Sequence, residues 1–448
     1  MDIDTRKLLE EAWNTPLFEA IFTRRSRRFG LGMEIPHGPN AYRSEAEPIP
    51  LSLEEEAMLC MGATGMSGMN LADMPHTRRE ELAAGEVWDG NCNTMLEYNG
   101  RTFPSPCGSH GTELFYTNDE GCYVVKMRGT RPERMQEIAA LDDLSKLVET
   151  FKERRVQISE GRLDLPHSSP ALMSFNTWNA NRPGTTLFMP VCDVTEELIN
   201  GLMLFLEQGQ YPVDASDGMK PLGCEKWVQE GLAAIPVPYQ TVEPLVAYGA
   251  SNVEVGFMGQ NLLLIQSALG LGGGPFGGFT AMMVLGGTPM CRGLGFRFET
   301  AERGAAAGIP YPVGKDGVFE THHPSYFGGS IDDAVDDVIE RKWGADGIFN
   351  ADNAHRAPYK RPGQMEQEIP RTDPAIIQCT KDILNAVWKK WGRFPAFVDP
   401  CVMTVLFQAH HLECGFYDQY YRDGAYTERH RRHMEKWHGK KKAALKAA

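Results

Sequence analysis

The chain reads as an α+β protein, and three observations predict it. Two β-rich runs pair around a short turn, ELFYTND-EG-CYVVKM at 113–127, as an antiparallel hairpin. Helical spacing runs through the strongest apolar segment, VGFMGQNLLLIQSALGL at 255–271. Glycines then follow that helix, whereas a dinucleotide fingerprint places them after a strand and before a helix. A GxxxxGK[ST] phosphate loop is also missing from the sequence.

The elements follow in order. Residues 5–29 show mixed three-and-four spacing of Leu8, Leu9, Trp13, Leu17, Ile21 and Phe22, broken by Pro16 into two short helices. Residues 30–50 carry four prolines and read as loop. Ser52 and Glu55 form a capping-box signature for a helix that ends in the turn ATGMSGMN, 63–70. Residues 85–112 read as irregular, 141–158 as an amphipathic helix, 181–193 as a turn and strand, and 195–208 as a helix. Residues 209–250 hold five prolines and read as short elements. TAMMVLGG and GLGFRFE (280–299) read as strands, 330–344 as an acidic helix, and 374–391 and 400–421 as the last helices. Mixed helix and strand with a hairpin predict an α+β core, to which the stretch after about residue 300 reads as an addition.

At 448 residues the chain is long enough for two or three domains, or for one with large additions. A net charge of −14 argues against a nucleic-acid-binding face. The basic stretch Lys440–Lys442 with Lys446 reads as a solvated tail. No apolar run approaches the ~18 residues of a membrane helix, so no membrane partner is expected. The acidic, amphipathic start does not read as a secretory signal. Ten cysteines without a CxxC pair suit reduced thiols, and the expected location is cytoplasmic.

Four stretches could carry chemistry. RRSRRF (24–29) offers guanidinium forks and a hydroxyl to phosphate or carboxylate oxygens, or else a solvated basic helix end. The glycines at 270–278 form either a helix cap or a bare backbone against which a flat ligand can lie. Ser67 and Asn70 in ATGMSGMN could meet a ligand edge, or belong to an ordinary turn. The spacing of His430 and His433 resembles metal spacing on a helix, but Arg429, Arg431 and Arg432 would repel a cation. A solvated or mutually pairing cluster is therefore expected there and at His410, His411 and His438, and no metal is assigned.

Taken together, RRSRRF, IPLSLEEEAMLCMGATGMSGMN (49–70), VGFMGQNLLLIQSALGLGGGPFGGF (255–279) and GLGFRF (293–298) resemble, in order and separation, the motifs of the FMN-dependent nitroreductase superfamily. The resemblance implies a nitroreductase-like FMN-binding domain over 1–300, with insertions near 75–110 and 209–250. Residues 301–448 would then form a C-terminal extension, loop-rich and then helical. It implies FMN held by Arg24, Arg25, Ser26 and Arg28 at the phosphate and pyrimidine end, and by Ser67 and Asn70 at the other ring edge. Pro275, Phe276, Gly277 and Gly278 would pass beside flavin N5, and GLGFRF would be the family's closing strand. Arg292, Arg297, Arg303 and Lys315 compete to complete the phosphate site, with Arg292 carried as the candidate. The family further implies a domain-entwined homodimer with FMN in its interface, and hydride transfer from NADH or NADPH to a small organic acceptor. Some relatives instead oxidise a small molecule or peptide with oxygen, and a flavin store or sensor without turnover is a third reading. Aromatic residues of the C-terminal region, Trp388, Trp391, Phe394, Phe397, Tyr417, Tyr420 and Tyr421, either cover the flavin or pack a core.

Overall fold

A computed structural model of the chain describes residues 3–74, 76, 81, 83, 93–130, 138–304, 306–357 and 359–438. Part of the expected 75–110 insertion, Cys92 and the basic tail lie outside the described residues.

The N-terminal helix pair forms as predicted, with α1 at Ile3–Trp13 and α2 at Leu17–Thr23 on either side of Pro16. Helix α3 (Leu53–Thr64) starts on a complete capping box. The Glu55 N–H donates to Ser52 Oγ at 3.2 Å, and the Ser52 N–H donates to Glu55 Oε2 at 2.7 Å. The turn after it is extended instead: β1 (Met66–Met69) pairs antiparallel with β2 (Asn99–Arg101), a strand inside the segment read as irregular.

The hairpin is β3 (Thr112–Thr117) and β4 (Gly121–Val125), in register from Thr117 opposite Cys122 to Leu114 opposite Val125. The helix expected over 141–158 stops early. Helix α4 (Leu144–Arg154) gives way to β5 (Arg155–Glu160), whose β-branched Val156 and Ile158 fit the edge beside β4. Strand β6 (Thr186–Asp193) and helix α5 (Thr195–Glu207) follow.

The long helix α6 spans Tyr239–Leu269 and contains Pro244. It begins 16 residues before the predicted start at 255. Pro244 reads locally as a breaker, yet burial of Tyr239, Val242, Ala247 and Ala250 holds this end of the helix in place. Helix α6 ends at Gly270 in the left-handed region (φ 78°) and leads into β7 (Gly272–Phe276).

TAMMVLGG is not a strand, because Ala281–Leu285 is a single helical turn or so. Strand β8 (Arg297–Thr300) joins β9 (Pro310–Lys315) and β10 (Phe319–Glu320) in a separate small sheet. Helices α7 (Ile331–Trp343) and α8 (Pro374–Trp391) form where expected. The predicted helix over 400–421 resolves into β11 (Cys401–Val402), β12 (Leu406–His410) and helix α9 (Cys414–Tyr420). Helix α10 (Glu428–His433) follows.

The central sheet is antiparallel throughout, in the order β7-β12-β6-β3-β4-β5, with β11 also against β6. Alternation along β3 sends Leu114 and Tyr116 to a face covered by α1, α3, α4 and α6. Phe115 goes to the opposite face, with Met189, Phe276 and Phe296. A third core joins α5, α7, α8 and the first turns of α6. Two expectations change here. GLGFRF does not close the sheet, since β8 lies in the small sheet. The neighbour of β7 is β12, whose continuous run LFQA is buried on both faces and carries no amphipathic period. Residue 300 is therefore no boundary of the sheet, which draws a central strand from beyond it.

Candidate functional site: an arginine segment docked on a glycine strand

The segment Arg24–Phe29 leaves α2 and lies along the free edge of β7. The Arg27 N–H donates to the Gly273 carbonyl at 2.9 Å, and the Gly273 N–H donates to the Arg27 carbonyl at 2.6 Å. A Cβ on Gly274 would stand 2.9 Å from Ser26 Cβ, and one on Gly272 would stand 2.9 Å from the His410 ring. Gly273, at φ 126°, leaves no room beside Gln408 of β12. Glycines 272–274 are thus required by the chain's own packing on both edges of β7. Gly278 (φ 68°) is tight against Phe175, and its carbonyl accepts from the Met173 N–H at 2.9 Å. Gly277 differs from these: it is exposed, and no atom lies within 4 Å of a Cβ built on it.

Of the four arginines, Arg27 and Arg28 meet this strand. Arg24 Nη1 donates to Ser26 Oγ at 3.2 Å, and the Arg28 guanidinium lies 5.4 Å from the Phe276 ring centre. Among the described residues, Arg24, Arg25 and Arg28 have no carboxylate partner. Arg27 is spent on structure, with its Nε donating to the Ala425 carbonyl. Burial lowers its pKa, against the opposing influence of Tyr417.

Beside this segment lies an open cleft of about 390 Å³, in the size range of small-molecule sites. Ser26, Arg27 and Arg28 form one wall, and Trp178, Phe416, Tyr417 and Tyr421 supply an aromatic one. Phe29 stacks on Phe416 at 4.3 Å between ring centres, and its N–H donates to Tyr417 Oη at 3.1 Å. Of the C-terminal aromatics, Tyr417 and Tyr421 reach the cleft. Trp388, Trp391 and Phe394 instead join the α5–α8 core, and Phe397 packs on Trp391 and Tyr239.

Ser67 and Asn70 sit elsewhere. Ser67 Oγ donates to the Arg101 carbonyl at 2.6 Å, and Asn70 Nδ2 donates to the Glu97 carbonyl at 2.9 Å, so both tie β1 to β2. Among the described residues, no contact joins them to Arg24–Arg28. Arg292 is exposed in the loop before β8, with its N–H on Asp164. Arg297 pairs with Glu320 and Asp316, Arg303 with Glu302, and Lys315 with the Gly295 carbonyl. None of these four basic residues meets the arginine segment.

Sequence reasoning missed a buried ion network beyond β6. Arg128 pairs with Asp193 and Glu196, and Arg341 with Glu196 and Glu97. His322 reaches Asp193 at 3.2 Å and Asp337 at 2.9 Å. Burial alone would lower the His322 pKa, but hydrogen bonds to Asp193 and Asp337 and the charge of Glu196 raise it to about 9. Seven positions scattered from 97 to 341 leave no local pattern, so only the fold reveals them.

No protein-family model and no curated protein matches the chain. Among solved structures, it is similar to one from Ralstonia eutropha JMP134 that is provisionally named a nitroreductase. The identity is 15%, over 59% of this chain and 71% of that one, with a TM-score of 0.26. A score that low does not establish a shared fold. The geometry itself defines an α+β protein with an antiparallel sheet and an arginine-lined, aromatic-walled cleft at its glycine edge strand. Among the described residues, no helix is long and apolar enough to cross a membrane.

Proposed function

We propose that the chain is an FMN-dependent oxidoreductase of the nitroreductase type, passing hydride from NADH or NADPH to a small organic acceptor. The observation that carries this reading is the Arg27–Gly273 pairing. It brings two sequence stretches expected to hold a flavin onto one edge of one sheet, through residues 246 positions apart in the chain (27 and 273). The residues present fit the group. Three guanidiniums without carboxylate partners among the described residues suit a phosphate, and Ser26 adds a hydroxyl. The side-chain-free, open Gly277 and the aromatic wall suit a flat ring.

When bound, the flavin would supply the two-electron chemistry. The chain's own residues do the rest. Arg24, Arg25 and Arg28 neutralise phosphate charge. The backbone at Pro275 and Gly277 stays open to the ring, and Trp178 and Tyr421 keep water from one side of the cleft.

The proposal extends to a homodimer. Helix α2 exposes Leu17, Phe18, Ile21 and Phe22 directly before the arginines, and α6 exposes Leu245 and Phe257. Ser67 and Asn70 would serve the same flavin from a second copy, because among the described residues of one chain no contact joins them to the arginine segment.

The test is an absorbance spectrum of the purified protein from roughly 300 to 550 nm, repeated anaerobically with each nicotinamide. A flavin spectrum bleached by one of them supports the reductase. A flavin that neither bleaches assigns the cleft to a substrate oxidase or a flavin store. Colourless protein that takes up no added FMN ends the flavin reading.

A further inference from the structure

Of the C-terminal histidines, expected to be solvated or to pair, His411 and His433 are buried, His438 is half-buried, and the three converge. Glu55 from the first turn of α3, His411 just after β12, His433 at the end of α10 and His438 a turn later each present one ligand atom, all within 4.8 Å of one another. Nε2 of His433 lies at the centre of the set. It is 3.1 Å from Nδ1 of His411, 3.2 Å from Nε2 of His438 and 3.5 Å from Oε1 of Glu55. A tetrahedral ion with Zn–N and Zn–O distances of about 2.0–2.1 Å requires ligand atoms about 3.3 Å apart. The three spacings fall on either side of that value.

Hydrogen bonding alone accounts poorly for the arrangement. A neutral imidazole nitrogen carries at most one hydrogen, so His433 Nε2 can satisfy only one of its three polar neighbours. Glu55 Oε1 is buried with no hydrogen-bond partner, while Oε2 of the same carboxylate is engaged by the Ser52 N–H. A buried carboxylate oxygen without a donor is costly unless a cation meets it. His411 Nε2 sits 3.3 Å from the Pro50 carbonyl, which fixes its ring and turns Nδ1 toward the cluster. That is the backbone support metal-bound histidines use.

The sequence objection to a metal was the surrounding arginines, and the helix disposes of it. Positions 430 and 433 share the inward face of α10, while Arg431 and Arg432 are exposed on the outside. Arg429 pairs with Glu19 at 2.6 Å.

We infer that Glu55, His411, His433 and His438 form a tetrahedral site for a divalent first-row transition metal, with Zn²⁺ the best match to three imidazoles and one carboxylate. Four protein ligands close the coordination sphere, which makes the site structural. It would fasten the C-terminal segment to the start of α3 and to the end of β12. His433 also packs against the cap of α6, where a Cβ on Gly270 would lie 2.9 Å from His433 Cβ. The second buried cluster of this kind, Asp193, Glu196 and His322, is already neutralised by Arg128 and Arg341 and is not a metal site. The inference stands whether or not the cleft binds a flavin.

The test uses the untagged full chain, dialysed against chelator and titrated with Zn²⁺ and then, as metal-free protein, with Co²⁺. One equivalent of tightly held metal and the visible absorption of tetrahedral cobalt are expected. Both should be lost in His433→Ala and His438→Gln. Glu55→Gln keeps the cap, which accepts Gln as well as Glu, and so preserves the fold. It should weaken Zn²⁺ binding by at least about tenfold, since even outer partners of a metal ligand are worth 10–100-fold. Wild-type protein that takes up neither ion overturns the site and leaves a proton-sharing histidine cluster. So does metal bound with equal affinity by wild type, Glu55→Gln and His438→Gln.

Discussion

Gly273 sits so close to Gln408 on the neighbouring strand that no side-chain carbon fits between its Cα and the Gln408 carbonyl oxygen. Its φ of 126° is also a conformation that residues with a Cβ rarely adopt. Gly273→Ala should therefore cost about 3 kcal/mol or more, through strain and displacement of β12. Gly277→Ala meets no atom within 4 Å and should change stability by less than about 0.5 kcal/mol. Thermal melts of the two variants check this. Equal melting temperatures would mean that the close pairing of β7 and β12 is wrong.

Arg24 has no carboxylate partner among the described residues, so its removal should leave the melting temperature unchanged. If it holds a flavin phosphate, Arg24→Ala should weaken FMN binding by about 1.5–3 kcal/mol, roughly 10- to 150-fold. Titration of flavin-free protein with FMN measures it. An unaltered Kd removes Arg24 from the phosphate site.

The exposed face of α2 gives a test of assembly. Phe18 and Phe22 are 71% and 77% exposed, and aspartate at both positions should convert a dimer into monomers. Sedimentation velocity separates the two states. A wild-type chain that sediments as a monomer at all concentrations would leave Ser67 and Asn70 without a role at the cleft.

His322 predicts a pH dependence. Its folded pKa is raised to about 9, above an unfolded value of about 6.5. The folded state therefore holds more protons in between, and stability falls as pH rises. The contribution, up to about 3 kcal/mol, is complete below pH ~6.5 and lost by pH ~9. Denaturant melts across that window should show a decline that His322→Gln flattens. Parallel curves for wild type and variant would place the imidazolium outside the network.

Much of this molecule is local. The Pro16 break, the capping box at Ser52 and Glu55, the hairpin at 112–125 and the helices at 331–343 and 374–391 follow from turn chemistry, caps and apolar period, all of which act within a few residues. The candidate site was half legible. RRSRRF and the glycines stood out by composition, but their meeting at Arg27 and Gly273 did not.

By itself the sequence determined the mixed class, most element types and the chemistry available to each stretch. Tertiary structure alone decided that LFQAH (406–410) is a central strand, because a run buried on both faces has no period to read. It alone decided that glycines 272–274 are demanded by neighbouring chain on both sides, and that Ser67 and Asn70 lie away from the arginines. It also turned a histidine stretch that looked too basic for a metal into a buried cluster. A helix sends residues three apart to one face and their neighbours to the other. Glu55, 378 positions before His433 in the chain, could be supplied only by the fold.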